Sequence, residues 1–159
     1  MNGNQGSDTL SGGEGADWVV GGQDNDFLFG DDGNDLVYGN RGDDAAFGGN
    51  GNDTVRGGQG DDIVFGGVGD DWLFGDRGND QIAGGWGADT FVSFGDAGLD
   101  MVVDFDRSQG DRVIIEAGTT YSVAQVGLNT VITMSGGAIM TLAEVNLASL
   151  TSGWIINGY

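Results

Sequence analysis

The sequence predicts an all-β protein: a parallel β-solenoid of about five coils, followed by a C-terminal β-rich cap. Three observations predict this fold class. A nine-residue repeat runs without insertion from Gly3 to Val92. Each repeat places glycine and aspartate in one half and a single apolar residue in the other. The period then disappears, and only nine of the 34 glycines follow Val92. A fixed period of this length is typical of solenoids, in which each repeat packs on its neighbours.

Four positions of the ten nonapeptides are nearly invariant. Position one is always glycine: Gly3, Gly12, Gly21, Gly30, Gly39, Gly48, Gly57, Gly66, Gly75 and Gly84. Position four is Asp24 in the third repeat and glycine elsewhere: Gly6, Gly15, Gly33, Gly42, Gly51, Gly60, Gly69, Gly78 and Gly87. Position six is always aspartate: Asp8, Asp17, Asp26, Asp35, Asp44, Asp53, Asp62, Asp71, Asp80 and Asp89. Position eight is always apolar: Leu10, Val19, Leu28, Val37, Ala46, Val55, Val64, Leu73, Ile82 and Phe91.

Each repeat supplies one turn and one strand. Positions one to six predict a tight turn, and position two holds only glycine, asparagine or aspartate, which best tolerate positive φ. Positions seven to nine predict a three-residue strand whose middle side chain points inward. Two repeats complete one coil, and five coils stacked at a strand spacing of ~4.8 Å span roughly 24 Å.

The chain after Val92 is different in composition. The segments DMVVDFDRSQGDRVIIEAG, YSVAQVG and TVITMSGGAIMTLAEV predict strands joined by turns, and NLASLTSG predicts a helical turn. A solenoid exposes the backbone edge of its last coil, so a non-repetitive apolar segment fits a cap. We therefore expect a repeat domain at 3–92 and a cap at 93–159.

Composition excludes several classes of partner. Acidic residues number 25 against five basic ones, for a net charge of −20, which disfavours nucleic acid and anionic membrane surfaces. No apolar run approaches the ~20 residues of a membrane helix, so no membrane insertion is expected. The opening segment MNGNQGSDTL lacks the basic and apolar regions of a Sec-type signal peptide. Without cysteine, neither disulfides nor thiolate metal sites can form.

The aspartates at position six predict metal binding. In a stacked solenoid they form two columns, one from odd repeats and one from even repeats, and like charges so close are unfavourable unless a cation lies between them. Calcium accepts six to eight oxygen ligands, including the carbonyls that glycine-rich turns can direct inward, whereas magnesium demands a stricter octahedron. The alternative is that aspartate merely favours turns, but position five beside it varies among serine, alanine, asparagine and aspartate.

These residues resemble a known family. The pattern GGxGxDxUx over residues 3–92 is similar to the RTX (repeats-in-toxin) nonapeptide, and the segments GADTFVSF and DMVVDFDRSQGDRVII resemble those that close such arrays. The resemblance implies a right-handed parallel β-roll with each calcium shared between repeats n and n+2, up to about eight ions. It implies carboxylate ligands from the ten position-six aspartates and main-chain carbonyl ligands from positions one to four, including the glycines at positions one and four. Asp24 departs from the pattern and is expected to modify one site.

No catalytic apparatus is evident, so we do not expect an enzyme. The sequence has no histidine, cysteine or lysine, and neither an HExxH nor a GxSxG motif. Asp104 and Asp106 could be paired acids of a glycosidase, but a turn or calcium role fits them better.

The leading hypothesis is a module that folds on meeting external calcium, since about eight divalent ions would reduce the charge of −20 to about −4. The resemblance adds export by the type I secretion machinery, with a signal within residues 140–159, and a secreted or cell-surface location. The alternative is a self-assembling surface-layer, adhesive or polysaccharide-binding module. An ice-binding roll is disfavoured because position seven carries no regular threonine ladder.

Positions seven and nine predict two outward faces. The face of the odd repeats carries Phe29, Phe47 and Phe65 beside Phe27, Ala45 and Ile63. The face of the even repeats carries Trp18, Leu36, Trp72, Tyr38 and Phe74, interrupted by Thr54 and Arg56. Because a continuous apolar face is unusual on a soluble monomer, we expect the odd face to be covered by the C-terminal cap or by a second molecule.

Overall fold

The computed structural model describes residues 1–158 and shows a parallel β-solenoid of about six turns. Tyr159, the last residue of the predicted cap and signal, lies outside the described residues. The described chain forms β1 (Asn2–Gln5), β2 (Thr9–Glu14), β3 (Trp18–Gln23), β4 (Phe27–Asp32), β5 (Leu36–Arg41), β6 (Ala45–Asn50), β7 (Thr54–Gln59), β8 (Ile63–Val68), β9 (Trp72–Arg77), β10 (Gln81–Trp86), β11 (Thr90–Ser93), β12 (Leu99–Val102), β13 (Arg112–Ile115), β14 (Tyr121–Val126), β15 (Asn129–Met134), β16 (Ile139–Leu142), a 3-10 helix at Leu147–Ser149 and β17 (Ile155–Asn157).

Alternate strands build two facing sheets. One sheet has the order β1-β3-β5-β7-β9-β11-β13-β17, and the other has β14-β15-β16-β12-β10-β8-β6-β4-β2. Every pairing within the repeats is parallel and joins residues eighteen apart, such as Leu28 with Ala46. This is the pattern expected when two nonapeptides complete one coil. The all-β parallel roll predicted from the period is confirmed.

The strands are longer than the three residues expected from the sequence. They begin at position seven and continue through position three of the next repeat, so that β4 runs from Phe27 to Asp32. The chain bends at position two, where φ is positive in all ten repeats, as the residue types there predict. The reversal of direction is therefore confined to positions four to six.

Two facing rows of apolar side chains, one from each sheet, fill the space between the sheets. Position eight is at most 1% exposed in repeats two to ten, from Val19 to Phe91, as predicted. Each coil buries only two such side chains, because the other inward position of each strand is the glycine of position one, which has no side chain. The core of the array is accordingly narrow.

Both sheets continue beyond the last nonapeptide. β13 and β17 extend the sheet of even repeats, while β12 and β16 extend the sheet of odd repeats, all in parallel. β14, β15 and β16 then form an antiparallel meander at the edge of the second sheet. No helix of residues 1–158 is long and apolar enough to span a membrane.

The outward faces differ from expectation in two respects. In the described chain the C-terminal segment does not lie across the odd face, where Phe27 is 55%, Ile63 48% and Phe65 37% exposed; this part of the prediction is wrong, because residues 121–142 extend the sheet edgewise. On the even face, Arg56 does not interrupt the apolar surface. Its guanidinium lies 5.4 Å from the ring centre of Tyr38 and 4.8 Å from that of Phe74.

Candidate metal centre

The position-six aspartates form two regular columns, one on each side of the solenoid. From Asp8 to Asp71, the amide N–H of each aspartate donates to Oδ1 of the aspartate eighteen residues later; the bonds from Asp35 to Asp53 and from Asp53 to Asp71 are both 2.8 Å long. The columns contain Asp8, Asp26, Asp44, Asp62 and Asp80 on one side, and Asp17, Asp35, Asp53, Asp71 and Asp89 on the other. The predicted columns are thus brought together.

The second oxygen of these carboxylates is buried without a partner. Within residues 1–158, Oδ2 has no hydrogen bond in nine of the ten: Asp8, Asp26, Asp35, Asp44, Asp53, Asp62, Asp71, Asp80 and Asp89. The residues from Asp26 onward are at most 4% exposed. A buried carboxylate oxygen that accepts no hydrogen bond is costly, and a coordinated cation removes that cost.

Main-chain oxygens lie beside these orphaned atoms. A Cβ built on Gly48 would lie 2.5 Å from Oδ2 of Asp53 and 2.5 Å from the carbonyl oxygen of Gly66, one coil further along. Only glycine leaves this space free at position one. The donor set is therefore hard oxygen, from carboxylate and carbonyl, which suits calcium better than softer metals.

Burial also disturbs the ionisation of the columns. Loss of solvent raises the pKa of Asp62 to about 8, of Asp71 to about 7 and of Asp44 to about 6. The amide hydrogen bond that each carboxylate accepts opposes the rise, and the neighbouring carboxylates of the column add to it. Bare carboxylates stacked in this way favour a bound proton or a bound cation.

No isolated carboxylate cluster competes with this arrangement. In the part of the chain that the structure describes, no three acidic, histidine or cysteine side chains converge as a metal site of their own. An ion in the columns would therefore be held by carboxylates from two coils together with carbonyls of the turns.

The glycines at position four have a separate role. All of them adopt positive φ, and so does Asp24, with φ of 74°. Oδ2 of Asp24 accepts a hydrogen bond from the amide of Gly6 at 3.0 Å. The exceptional residue thus keeps the left-handed backbone of the other turns and uses its side chain to join two coils.

Sequence reasoning missed a second ladder at position five. There the side chain of one repeat accepts the amide N–H of the repeat two further on, as Asn34 does from Asn52 at 2.9 Å and Asp61 from Asn79 at 2.9 Å. These side chains lie on the surface. The signal in the sequence is the unbroken run of asparagine and aspartate at position five from Asn25 to Asn79.

Two aspartates outside the nonapeptides also join the columns. Asp100 follows Asp80, and Asp111 follows Asp89. Asp104 lies beside them, and its two oxygens accept the amide N–H groups of Gly84 and Gly85 at 2.9 Å each. Asp106 accepts the amide N–H of Ser108 at 2.8 Å. The two aspartates considered above as paired acids of a glycosidase thus both form hydrogen bonds to backbone amides.

The sequence matches one described protein family. The family is the RTX calcium-binding nonapeptide repeat (4 copies), matched at residues 2–37, 38–73 and 65–93. These matches together cover more than half of the chain and coincide with the repeat array. No curated protein sequence matches the chain.

Solved structures also show similarity. The extracellular lipase LipA from Serratia marcescens is 19% identical with a TM-score of 0.48, over 96% of this chain and 40% of the lipase chain. Two subunits of the Azotobacter vinelandii mannuronan C5-epimerase follow. AlgE6R3 is 22% identical with a TM-score of 0.37, over 94% of this chain and 77% of the subunit. AlgE6R2 is 20% identical with a TM-score of 0.38, over 91% of this chain and 92% of the subunit.

Proposed function

The chain belongs to the RTX calcium-binding nonapeptide-repeat family, and from this premise we propose that it is a module whose folding is triggered by calcium outside the cell. Its repeats are a structural calcium-binding element. The observation that carries the proposal is the stack of buried aspartates, each with one oxygen that lacks a partner within residues 1–158. Calcium would supply the missing partner.

The energetics of the array support coupling between binding and folding. A chain of net charge −20 that buries two apolar side chains per coil gains little from its core and suffers strong self-repulsion. A ligand that binds only the folded state stabilises it by an amount that grows with ligand concentration. Millimolar calcium would therefore fold the array, and the low calcium of the cytosol would leave it unfolded.

The proposed ligands are those of the columns and their turns. Each ion would bind the position-six carboxylates of repeats n and n+2 together with main-chain carbonyls of positions one to four. Ten repeats frame about eight such pairs. The carbonyl of Gly66 beside Oδ2 of Asp53 illustrates one half of a site.

Folding outside the cell suits an exported protein. We infer that the module belongs to a protein that leaves the cell unfolded by a type I route and folds where calcium is abundant. Residues 93–158 would then close the end of the solenoid, and the export signal would lie in the last twenty residues. The chain spans 40% of the length of the lipase chain to which it is similar.

A calcium titration of the whole chain tests the proposal. Far-UV circular dichroism should show little β-structure in chelator and a full β-signal in millimolar calcium, with magnesium at equal concentration as the control. A full β-signal in chelator, unchanged by calcium, would contradict the proposal.

The open odd face favours a second candidate function, calcium-dependent self-association in a surface or adhesive assembly. Phe27, Ile63 and Phe65 are exposed on a face that no described segment covers. Sedimentation in calcium should show a dimer or polymer that the double variant Phe27→Ser, Ile63→Ser loses. A wild-type chain that sediments as a folded monomer in calcium would exclude it.

A further inference from the structure

The two aspartate columns do not end with the nonapeptides. In the column of odd repeats, the amide N–H of Asp80 donates to Oδ1 of Asp100 at 3.4 Å. In the column of even repeats, the amide N–H of Asp89 donates to Oδ1 of Asp111 at 3.0 Å. Asp100 is 3% and Asp111 2% exposed, like the aspartates before them. Each column therefore contains one carboxylate more than the repeats supply.

Asp100 belongs to an eleventh repeat that is out of register with the first ten. Residues 95–103 read GDAGLDMVV, which follows the nonapeptide pattern after an insertion of two residues. Gly98 takes position four, with φ of 127°, and bridges to Gly78 as earlier position-four glycines stack on one another. Val102 takes position eight and is fully buried, and it pairs with Ile82.

The first half of this repeat has a different path. Gly95 and Asp96 form an ordinary turn rather than the end of a strand, and neither has positive φ. The match to the family ends at residue 93, before this segment. Positions four, six and eight nevertheless pair with the ninth repeat through Gly98, Asp100 and Val102, and this half brings the carboxylate into the column.

The preceding aspartate of each column points to a missing ligand. Oδ2 of Asp80 and Oδ2 of Asp89 are buried and have no hydrogen-bond partner in residues 1–158. Asp80 is 2% and Asp89 1% exposed. Each Oδ2 also lies against the position-one glycine of its own repeat, Gly75 or Gly84, as in the interior repeats.

We propose that each column binds one further divalent cation, between Asp80 and Asp100 in one column and between Asp89 and Asp111 in the other. The nonapeptides frame about eight shared sites, and these two would raise the number to about ten. The inference rests on the proposed calcium-dependent function, because it assigns the same ion to both kinds of site.

The loop at 103–111 positions the last carboxylate of the even column. Oδ2 of Asp111 accepts the amide N–H of Asp106 at 2.8 Å, which fixes the orientation of the carboxylate. Gln109 accepts the amide N–H of Gly87 at 3.2 Å, and Asp104 accepts those of Gly84 and Gly85. Side chains of this loop thus accept the amide N–H groups of positions one, two and four of the tenth repeat. In the array a position-four amide such as that of Gly33 donates to a backbone carbonyl instead.

Counting bound calcium on the full chain tests the inference. Asp100→Asn and Asp111→Asn should each lower the stoichiometry by one ion, and the double variant by two. Asp96→Asn is the matched control, because it removes the same charge from the turn just before β12, at a side chain that is 65% exposed and lies outside the columns. Unchanged stoichiometry in both column variants would overturn the inference.

Two further outcomes separate this inference from the proposed function. If the wild-type chain binds no calcium, the proposed function fails with it; if it binds calcium and the column variants bind equally many ions, only the two added sites fail. Should a variant not fold, a crystal structure of the wild-type chain with calcium decides. Ions beside both Asp100 and Asp111 support the inference, and columns of ions that end at Asp80 and Asp89 contradict it.

Discussion

The repeat array and the C-terminal segment bury different things. The array buries carboxylates from Asp26 to Asp89 beside a narrow row of aliphatic side chains. The C-terminal segment buries large apolar side chains, among them Phe105, Ile132, Met140 and Trp154. Under the proposed function, the array depends on an added ligand to neutralise the carboxylates it buries, whereas the C-terminal segment buries mainly apolar side chains apart from Asp100 and Asp111. The apolar core of the C-terminal segment is thus larger than that of the array, in which each coil contributes two position-eight side chains.

The two regions are nevertheless one continuous structure. β11 pairs with β9 on one side and β13 on the other, and the aspartate columns cross the same border. Phe91 of the last repeat also contacts Phe105, at 5.9 Å between ring centres. A folded C-terminal segment would thus present a complete edge on which the last coil of the array can form.

The largest expected effect comes from removing calcium. In chelator, amides of residues 3–92 should exchange hydrogen for deuterium rapidly, while those of β14 to β16 keep part of their protection. The reason is that the proposed ions lie along the array and at its end, whereas the meander is held by its apolar contacts. Hydrogen-exchange mass spectrometry measures both regions in one sample, and equal loss of protection in the two would remove the distinction between them.

Lower pH should stabilise the metal-free array, because protons neutralise its buried carboxylates, and should weaken calcium binding, because protons occupy the same oxygens. Burial raises the pKa of Asp44 to about 6, Asp71 to about 7 and Asp62 to about 8. A carboxyl whose pKa is higher in the folded chain stabilises it fully below the ordinary pKa of 3.8, and this stabilisation is lost as pH rises through 6 to 8.

The metal-free chain should therefore gain β-structure as pH falls from 8 to 4. Because protons and calcium compete for the same oxygens, the calcium concentration at half-folding should rise over the same range. Circular dichroism titrations at pH 8, 7 and 6 measure both quantities. A half-folding concentration independent of pH would show that the buried carboxylates are not the ligands.

The array was predictable from its sequence because each side chain serves the same purpose in every repeat. The inward residue, the positive φ at position two and the aspartate columns all follow from a strict period. The six-residue strands did not follow, because glycine-rich positions one to three do not resemble strands in composition. Their extended path is imposed by hydrogen bonds to neighbouring coils, such as those joining Gly22 with Asn40.

The C-terminal continuation of the columns was harder to predict. The insertion of Ser93 and Phe94 breaks the register before GDAGLD, so a search at a fixed period ends at Val92. Asp111 lies in a loop with no repeat pattern at all, and only the fold brings it beside Asp89. Likewise, the pairing of Arg56 with a position-two aspartate was not visible, since the two residues are twenty positions apart.

The core of the C-terminal segment should be sensitive to a single truncation. Trp154 is 7% exposed and packs edge-on against Phe105 at 6.2 Å between ring centres. Trp154→Ala should lower the free energy of unfolding in saturating calcium by about 3–5 kcal/mol, the usual cost of deleting a buried large aromatic side chain. Leu128→Ala, at a residue 75% exposed in the same segment, is the control and should change little. Urea unfolding measures both, and similar losses would contradict the assignment of the core.

Position within a column should set the cost of losing one aspartate. Asp53 bonds to Asp35 on one side and to Asp71 on the other, so Asp53→Ala should weaken two shared sites. Asp8 begins its column and bonds only to Asp26, so Asp8→Ala should weaken one. We expect the calcium midpoint to rise about tenfold for Asp53→Ala, equivalent to about 1.4 kcal/mol, and less for Asp8→Ala. Equal midpoints would contradict sharing between repeats n and n+2.

The smallest expected effect concerns the ion pair of the even face. Arg56 donates to both oxygens of Asp76 at 2.9 and 2.6 Å, and its guanidinium lies between two aromatic rings. Arg56→Ala should lower the free energy of unfolding in saturating calcium by about 1 kcal/mol. The partly exposed ion pair and the ring contacts each contribute a fraction of that amount. The substitution also leaves Asp76, which is 8% exposed, without its cation.

Arg77→Ala provides the matched control for this charge change. The ion pair of Arg77 with Asp96 has an N–O distance of 3.0 Å, and both side chains are more than 60% exposed. Arg77→Ala should therefore leave the free energy of unfolding nearly unchanged. Arg56→Lys should recover only part of the stability, because an ammonium cannot donate through a planar fork to two carboxylate oxygens. Urea unfolding of the three variants separates the contributions. Equal losses for Arg56→Ala and Arg77→Ala would mean that net charge, and not the packed pair, determines how much either arginine stabilises the array.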